Sequence, residues 1–378
     1  MAHDPVGDLH FVGSIPLPSV EDVFRRLAGD FGPYVSSLPD GEVGERLAWT
    51  VYLPIHVYAG HPDLDFRPPT ERIDVSNMEG FGRPEGSKYI AASAFPVNKF
   101  PQFRLKSGVS ALRFEDMYAG RIAVDSYRTF QRLRDEGVIP QHVRFQVCFP
   151  GSISGIEPYF PEPADWPAVR SAYEEGTRAE VARMLEEIPP EDLTVQFDLA
   201  WELNDLSLGD DPTFPWSPAQ RFAEKYERVS SSLPGLARAV PEDVRLGFHW
   251  CYGTAGGWPM TAMADMELCT LLSNSAVQLC ARPIDYFHMP VLPDADDAFL
   301  APLERLDVGD ARVFLGLVHP DGVPAFEERV RRARRHLREF GIAAVCGHGR
   351  DDPGQLDDLL RLTRACVERF EELRAGRS

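Results

Sequence analysis

No stretch of this sequence approaches the ~18–20 consecutive apolar residues that would span a bilayer, although 44% of its 378 residues are hydrophobic. A soluble globular chain with no membrane partner is expected. The opening Met1-Ala2-His3-Asp4-Pro5-Val6-Gly7-Asp8 lacks the basic and apolar regions of a secretory signal, so the expected location is cytoplasmic. Cysteine is sparse as well. The six present (Cys148, Cys251, Cys269, Cys280, Cys346 and Cys366) are scattered rather than clustered as a disulfide framework, and reduced thiols are expected. Positive charge is also short: 39 Lys and Arg against 58 Asp and Glu give a net charge of −19. That balance repels nucleic acid and anionic membrane while permitting a local basic pocket, so a small-molecule partner is favoured.

What is present is an orderly alternation. His10 to Pro16 reads as a short strand ended by Gly and Pro, and Ser19-Val20-Glu21-Asp22 as a helix start. Gly32 to Leu38 reads as a second strand, broken by the turn chemistry of Pro39-Asp40-Gly41-Glu42. The rhythm then fails over residues 43–142, where only Phe114 to Glu136 has a helical pattern. This insertion is expected to form a lid or substrate-binding elaboration, with Glu42, Glu45 and Arg46 nearest the site. From residue 143 the alternation is regular. Strands are expected at 143–149, 193–199, 245–250, 284–288, 313–318 and 342–346. Helices are expected at 166–188, from the Ser217-Pro218-Ala219-Gln220 cap, near 260–273, around 297–305, from Pro324 to Gly341, and from Asp352-Pro353. Eight strands with helices between them predict an α/β fold, a single (β/α)8 TIM barrel over residues 1–378 with a long insertion after the second strand.

Barrels of this kind carry their chemistry at the C-terminal ends of the strands. There the sequence places Ser14, then Asp198 and Glu202, then His249 and Cys251, then His288, His319 and Cys346. His249 and Cys251 stand two apart at the end of one strand, so both project to the same side, which is half of a zinc site.

Four motifs, Val12-Gly13-Ser14-Ile15-Pro16, Val195-Gln196-Phe197-Asp198, His249-Trp250-Cys251-Tyr252-Gly253 and Cys346-Gly347-His348-Gly349-Arg350, occur in the order found in the C-terminal barrel of cobalamin-independent methionine synthase. The chain resembles that family over most of its length as strand-end motifs, with little between them. The resemblance implies a zinc ion that holds a substrate thiol as thiolate and presents it to an alkyl donor. It carries the zinc ligands onto His249, Cys251 and Cys346, and matches Ser14 and Asp198 to positions that hold the amino acid homocysteine. The family's fourth ligand, a Glu, is missing from Ile284-Asp285-Tyr286-Phe287-His288, where His288 is the substitute. Its Asp-Glu-Pro reads Asp198-Leu199-Ala200, and its pterin-stacking Trp has no counterpart in residues 151–160. A donor other than polyglutamyl folate is therefore expected.

The candidate sites are thus His249, Cys251, His288 and Cys346 for Zn2+, with Ser14, Asp198, Glu42 and Glu202 for substrate and His319 and Asp198 for catalysis. His288 is open between a ligand and an imidazole hydrogen-bonded behind one, and His319 between an acid group and a structural one. The expected activity is methyl or alkyl transfer to or from a thiol. Its expected partners are a small-molecule thiol and an alkyl donor, with a homodimer left open. A zinc Lewis-acid lyase or hydrolase on the same barrel is the alternative, and metal-free decarboxylases of the wider superfamily share the fold.

Overall fold

The computed structural model describes residues 7–47, 49–67, 101–210, 221–254, 258–349 and 351–376. The helix start expected at 217–220, and Arg350 of the last motif, lie outside them. The strands are β1 (Leu9–His10), β2 (Ser37–Pro39), β3 (Leu64–Arg67), β4 (Gln102–Leu105), β5 (Arg144–Pro150), β6 (Leu193–Leu199), β7 (Arg245–Trp250), β8 (Tyr286–Pro290), β9 (Arg312–Val318) and β10 (Gly341–Ala344). All but β3 and β4 form one sheet, in the order β1-β10-β9-β8-β7-β6-β5-β2, with every pairing parallel. Leu9 also bridges Val35, just ahead of β2, so the sheet curls round to meet itself. With helices between the strands, this is an α/β barrel of the (β/α)8 type.

The second strand is only Ser37–Pro39 rather than Gly32 to Leu38, because Gly32 still caps the helix before it, and two other boundaries differ from the sequence reading for identifiable reasons. The first strand was expected to run to Pro16 but ends at His10. The Phe11 and Val12 carbonyls accept from the side-chain amides of Gln146 and Gln196 at 2.7–3.1 Å instead of from a neighbouring strand. The helix expected near 260–273 is Glu267–Leu279, with the Asp265 carboxylate accepting from Glu267 N at 2.8 Å at its start.

Helix Ala119–Asp135 packs on helices Val20–Phe31 and Trp166–Leu185 and on β5, the place of the crossover between β2 and β5. The irregular part of the insertion therefore precedes residue 119. Its described portions include a π-helical turn, Pro54–Tyr58, and the antiparallel β3–β4 hairpin. They are tied to the segment that follows the C-terminal end of β5. Tyr58 Oη donates to Gly155 O at 2.7 Å, and the Thr50 and Tyr159 hydroxyls lie 2.7 Å apart.

Side chains alternate sharply across the sheet. One face stacks Phe149, Phe197, Phe248 and Phe287 in a row with centroids 6.0–6.2 Å apart, beside Trp250, whose indole N–H donates to Ser273 of the helix after β7. That face meets the helices. The other face, inside the barrel, is polar, whereas branched aliphatic layers are the usual filling. Gln196 Oε1 accepts from His10 Nε2 at 2.8 Å and from Tyr286 Oη at 2.9 Å, while its amide donates to Val12 O and to Asp198 Oδ1, each at 2.7 Å. Glycine is required at 247, because a Cβ there would lie 2.0 Å from the Tyr286 ring that crosses the interior. Burial holds the His10 imidazole down to about 3, so it stays neutral within this network.

Candidate metal centre

Strand register builds the site. Asp198, His249 and His288 are direct neighbours across β6, β7 and β8, so all three side chains face the interior near the C-terminal rim. Cys251 lies just past β7, its N–H bound to Leu199 O at 3.0 Å, and Cys346 just past β10. The ligand atoms of His249, Cys251 and Cys346 all lie within 4.8 Å of one another.

The Cys251 and Cys346 sulfurs are 3.6 Å apart. That is far longer than a disulfide, and close to the about 3.8 Å between two thiolates that each sit ~2.3 Å from one tetrahedral zinc ion. His249 is buried, and its Nε2 has no hydrogen-bond partner among the described residues. An orphaned buried nitrogen is costly unless something binds it. The neighbouring Cys346 thiol, together with burial, pushes the Cys251 thiol well above its ordinary value. A divalent cation between them reverses that, since coordination deprotonates thiols. The donor set therefore fits zinc.

The Cys346 loop is held by Ser14. His348 N donates to Ser14 O at 2.7 Å and Gly349 N to Ser14 Oγ at 3.2 Å. A Cβ at 347 would come within 2.5 Å of Ser14 Oγ, so only glycine allows this close approach.

Beside these donors stands a second group, in which Glu42, Cys148 and Asp198 bring their oxygens and sulfur within 4.8 Å of one another. Glu42 is buried in the left-handed region with φ 49°, and its N–H donates to Asp40 Oδ1 at 3.0 Å. Asp40 in turn is bound by Arg46 at 2.6 Å and by Ser126 at 2.8 Å. Burial, with Asp198 and Glu42 close by, drives the Cys148 thiol well up. Cys148 is not among the candidate site residues that the sequence singles out. The usable signal was its place two residues after Gln146, the same inward spacing as Gln196 and Asp198.

The remaining candidates are placed differently. His288 sits behind His249 rather than among the three donors. Its Nδ1 is 2.6 Å from His249 Nδ1 and its Nε2 is 3.0 Å from Ala344 O. Glu202 is fully buried, with its two oxygens bound to the Ser154 hydroxyl at 2.5 Å and backbone N–H at 3.2 Å, and burial raises its pKa. His319 follows β9, with Nε2 2.9 Å from Val291 O and its ring 5.8 Å from Trp258. Burial and the nearby Arg329 lower its pKa to about 4.

No protein-family model matches the chain, and no curated protein matches it. Among solved structures, it is similar to one described as a "Putative Vitamin-B12 Independent Methionine Synthase from Listeria monocytogenes". The identity is 12%, over 92% of this chain and 86% of that one, with a TM-score of 0.48. A "conserved putative LOR/SDH protein" from Methanococcus maripaludis S2 is 10% identical over 71% of this chain and 75% of that one, with a TM-score of 0.16. At such distances the chemistry has to come from this chain's own residues. No described helix is long and apolar enough to cross a membrane.

Proposed function

We propose that the chain is a zinc-dependent enzyme that transfers a methyl or alkyl group to or from a small-molecule thiol. The observation that carries this reading is the convergence of His249, Cys251 and Cys346, with two sulfurs at thiolate spacing and a buried imidazole nitrogen lacking a partner. Three protein donors leave one place of a tetrahedral shell for a substrate, as catalytic zinc requires. Zinc, when bound there, supplies the positive charge that keeps a coordinated thiol deprotonated near neutral pH.

The chain's own groups do the rest. Glu42 and Asp198, two carboxylates beside the donors, are suited to hold a cationic group such as a substrate ammonium. Ser14 fixes the Cys346 loop and offers its hydroxyl to the polar end of the same molecule. The proton that the thiol releases passes to solvent, and His319, whose Nε2 must carry a hydrogen to bind Val291 O, presents Nδ1 as a neutral hydrogen-bond acceptor. The sulfur then forms its bond to the alkyl carbon while the donor's leaving group departs with the electron pair. With no counterpart of the pterin-stacking Trp, the donor is assigned outside the polyglutamyl folates.

X-ray absorption of the zinc-loaded protein tests the reading. A thiol substrate should add one Zn–S distance of about 2.3 Å. A zinc shell unchanged by every thiol, together with turnover of an ester or carbonyl compound without one, would replace this reading with the Lewis-acid lyase or hydrolase.

A further inference from the structure

The His249–His288 contact restricts where the protons can be. Ala344 O can only accept, so the nitrogen 3.0 Å from it, His288 Nε2, must carry a hydrogen. The two Nδ1 atoms are 2.6 Å apart, a separation that holds one hydrogen between them and not two. If that hydrogen belonged to His288, its ring would be a cation at a site with no measurable exposure, which is expensive without a paired anion. It therefore belongs to His249, and His288 Nδ1 accepts it. A neutral imidazole with its hydrogen on Nδ1 has its lone pair on Nε2. That is the atom left without a partner among the described residues, on a ring that offers a ligand atom within 4.8 Å of both sulfurs while its other nitrogen is engaged with His288.

We infer that His288 is a positioning residue. Through a two-imidazole relay anchored on the Ala344 carbonyl, it holds His249 in the Nδ1–H tautomer and aims the Nε2 lone pair at the metal position. Free imidazole side chains favour the opposite, Nε2–H tautomer, which cannot coordinate through Nε2. Strand register supplies the geometry, since His249 and His288 are direct neighbours on parallel strands and project to the same side. Ala344 ends β10, just ahead of Cys346, so the relay links the strand that carries the imidazole ligand to the one that leads to the second thiol ligand. Only the consequence for metal binding rests on the zinc reading; the tautomers belong to the metal-free chain.

Two measurements separate these levels. Long-range 1H–15N correlation on metal-free protein with labelled histidine should show His249 protonated at Nδ1 and His288 at Nε2. His249 protonated at Nε2 in the wild-type protein overturns the inference without reference to any metal or variant. In chelator competition, His288→Phe should weaken zinc binding about 10–100-fold, the range seen when a partner behind a ligand is lost. His288→Asn, whose Oδ1 can accept from His249 Nδ1–H, should recover most of the affinity. X-ray absorption should find two sulfurs and one imidazole from the protein in the wild type and in both variants. Loss of an imidazole on His288→Phe would make His288 a ligand and refute the relay. If the tautomers are as inferred but no preparation binds zinc, the zinc reading fails while the relay stands.

Discussion

Replacing Gln196 with Met, of similar volume, removes the hub of the barrel interior. His10 Nε2–H and Tyr286 O–H lose the oxygen they share, and Asp198 Oδ1 loses an amide donor at 2.7 Å. Val12 O keeps partners in Gln146 and Cys148, so it adds little. An orphaned buried donor costs about 1–3 kcal/mol, and a lost bond to a charged group about 1.5–3 kcal/mol. The three together come to roughly 3.5–9 kcal/mol before relaxation, against a typical stability of about 5–15 kcal/mol. Urea unfolding should therefore show a large drop in midpoint with an unchanged slope. The control is the triple variant with His10→Phe and Tyr286→Phe added. Removing the orphaned donors should recover a substantial part of the loss, because taking away both partners of a bond costs less than taking one. A Gln196→Met protein within about 1 kcal/mol of wild type would show that the polar interior is not held through this residue.

Cys251→Ser and Cys346→Ser should each lose most bound zinc by elemental analysis, and full retention in both would end the metal assignment. Asp198→Ala should weaken thiol binding by about tenfold or more in a calorimetric titration while zinc content holds, as expected for loss of a charged contact; loss of the metal as well would place Asp198 in the zinc shell. Glu42 occupies a left-handed conformation that costs about 1 kcal/mol or more for a non-glycine residue. Glu42→Gly should therefore leave the melting temperature unchanged or higher yet impair thiol binding, and retained binding would exclude Glu42 from the site. His319, at about 4 when folded against 6.5 unfolded, binds fewer protons in the native state. Its contribution is thus full above the unfolded value and is lost as pH falls from about 6.5 to about 4. His10 and His288, whose imidazoles burial also lowers, contribute over the same window, so His319→Phe should reduce the slope of stability with pH by about one proton's worth rather than abolish it, and an unaltered slope would contradict the buried neutral ring.

The barrel was legible because its strands are apolar and evenly spaced. The convergence of His249, Cys251 and Cys346 was legible because all three fall at strand ends. Pairings decided by three-dimensional contact were not legible. His288 has the residue type of a ligand, and only the register of β7 against β8 puts its Nδ1 on His249 rather than on the metal position. Glu202 has the look of a substrate carboxylate but is bound to Ser154 by a turn of chain that leaves no periodic trace. The brevity of β1 depends on amides contributed from β5 and β6, which no local pattern around Phe11 and Val12 reveals.

Leu9 and His10 pair with Ile342 and Ala343, so β1 is seated against a strand far along the chain. During synthesis β1 has no permanent neighbour on that side until β10 has emerged. His249 and Cys251 must likewise wait for Cys346, which follows the same late strand. Contacts this distant in sequence form slowly. A chain whose β10 has not yet emerged brings together only part of the His249, Cys251 and Cys346 group, so on the proposed reading metal retention would be a mark of a closed barrel.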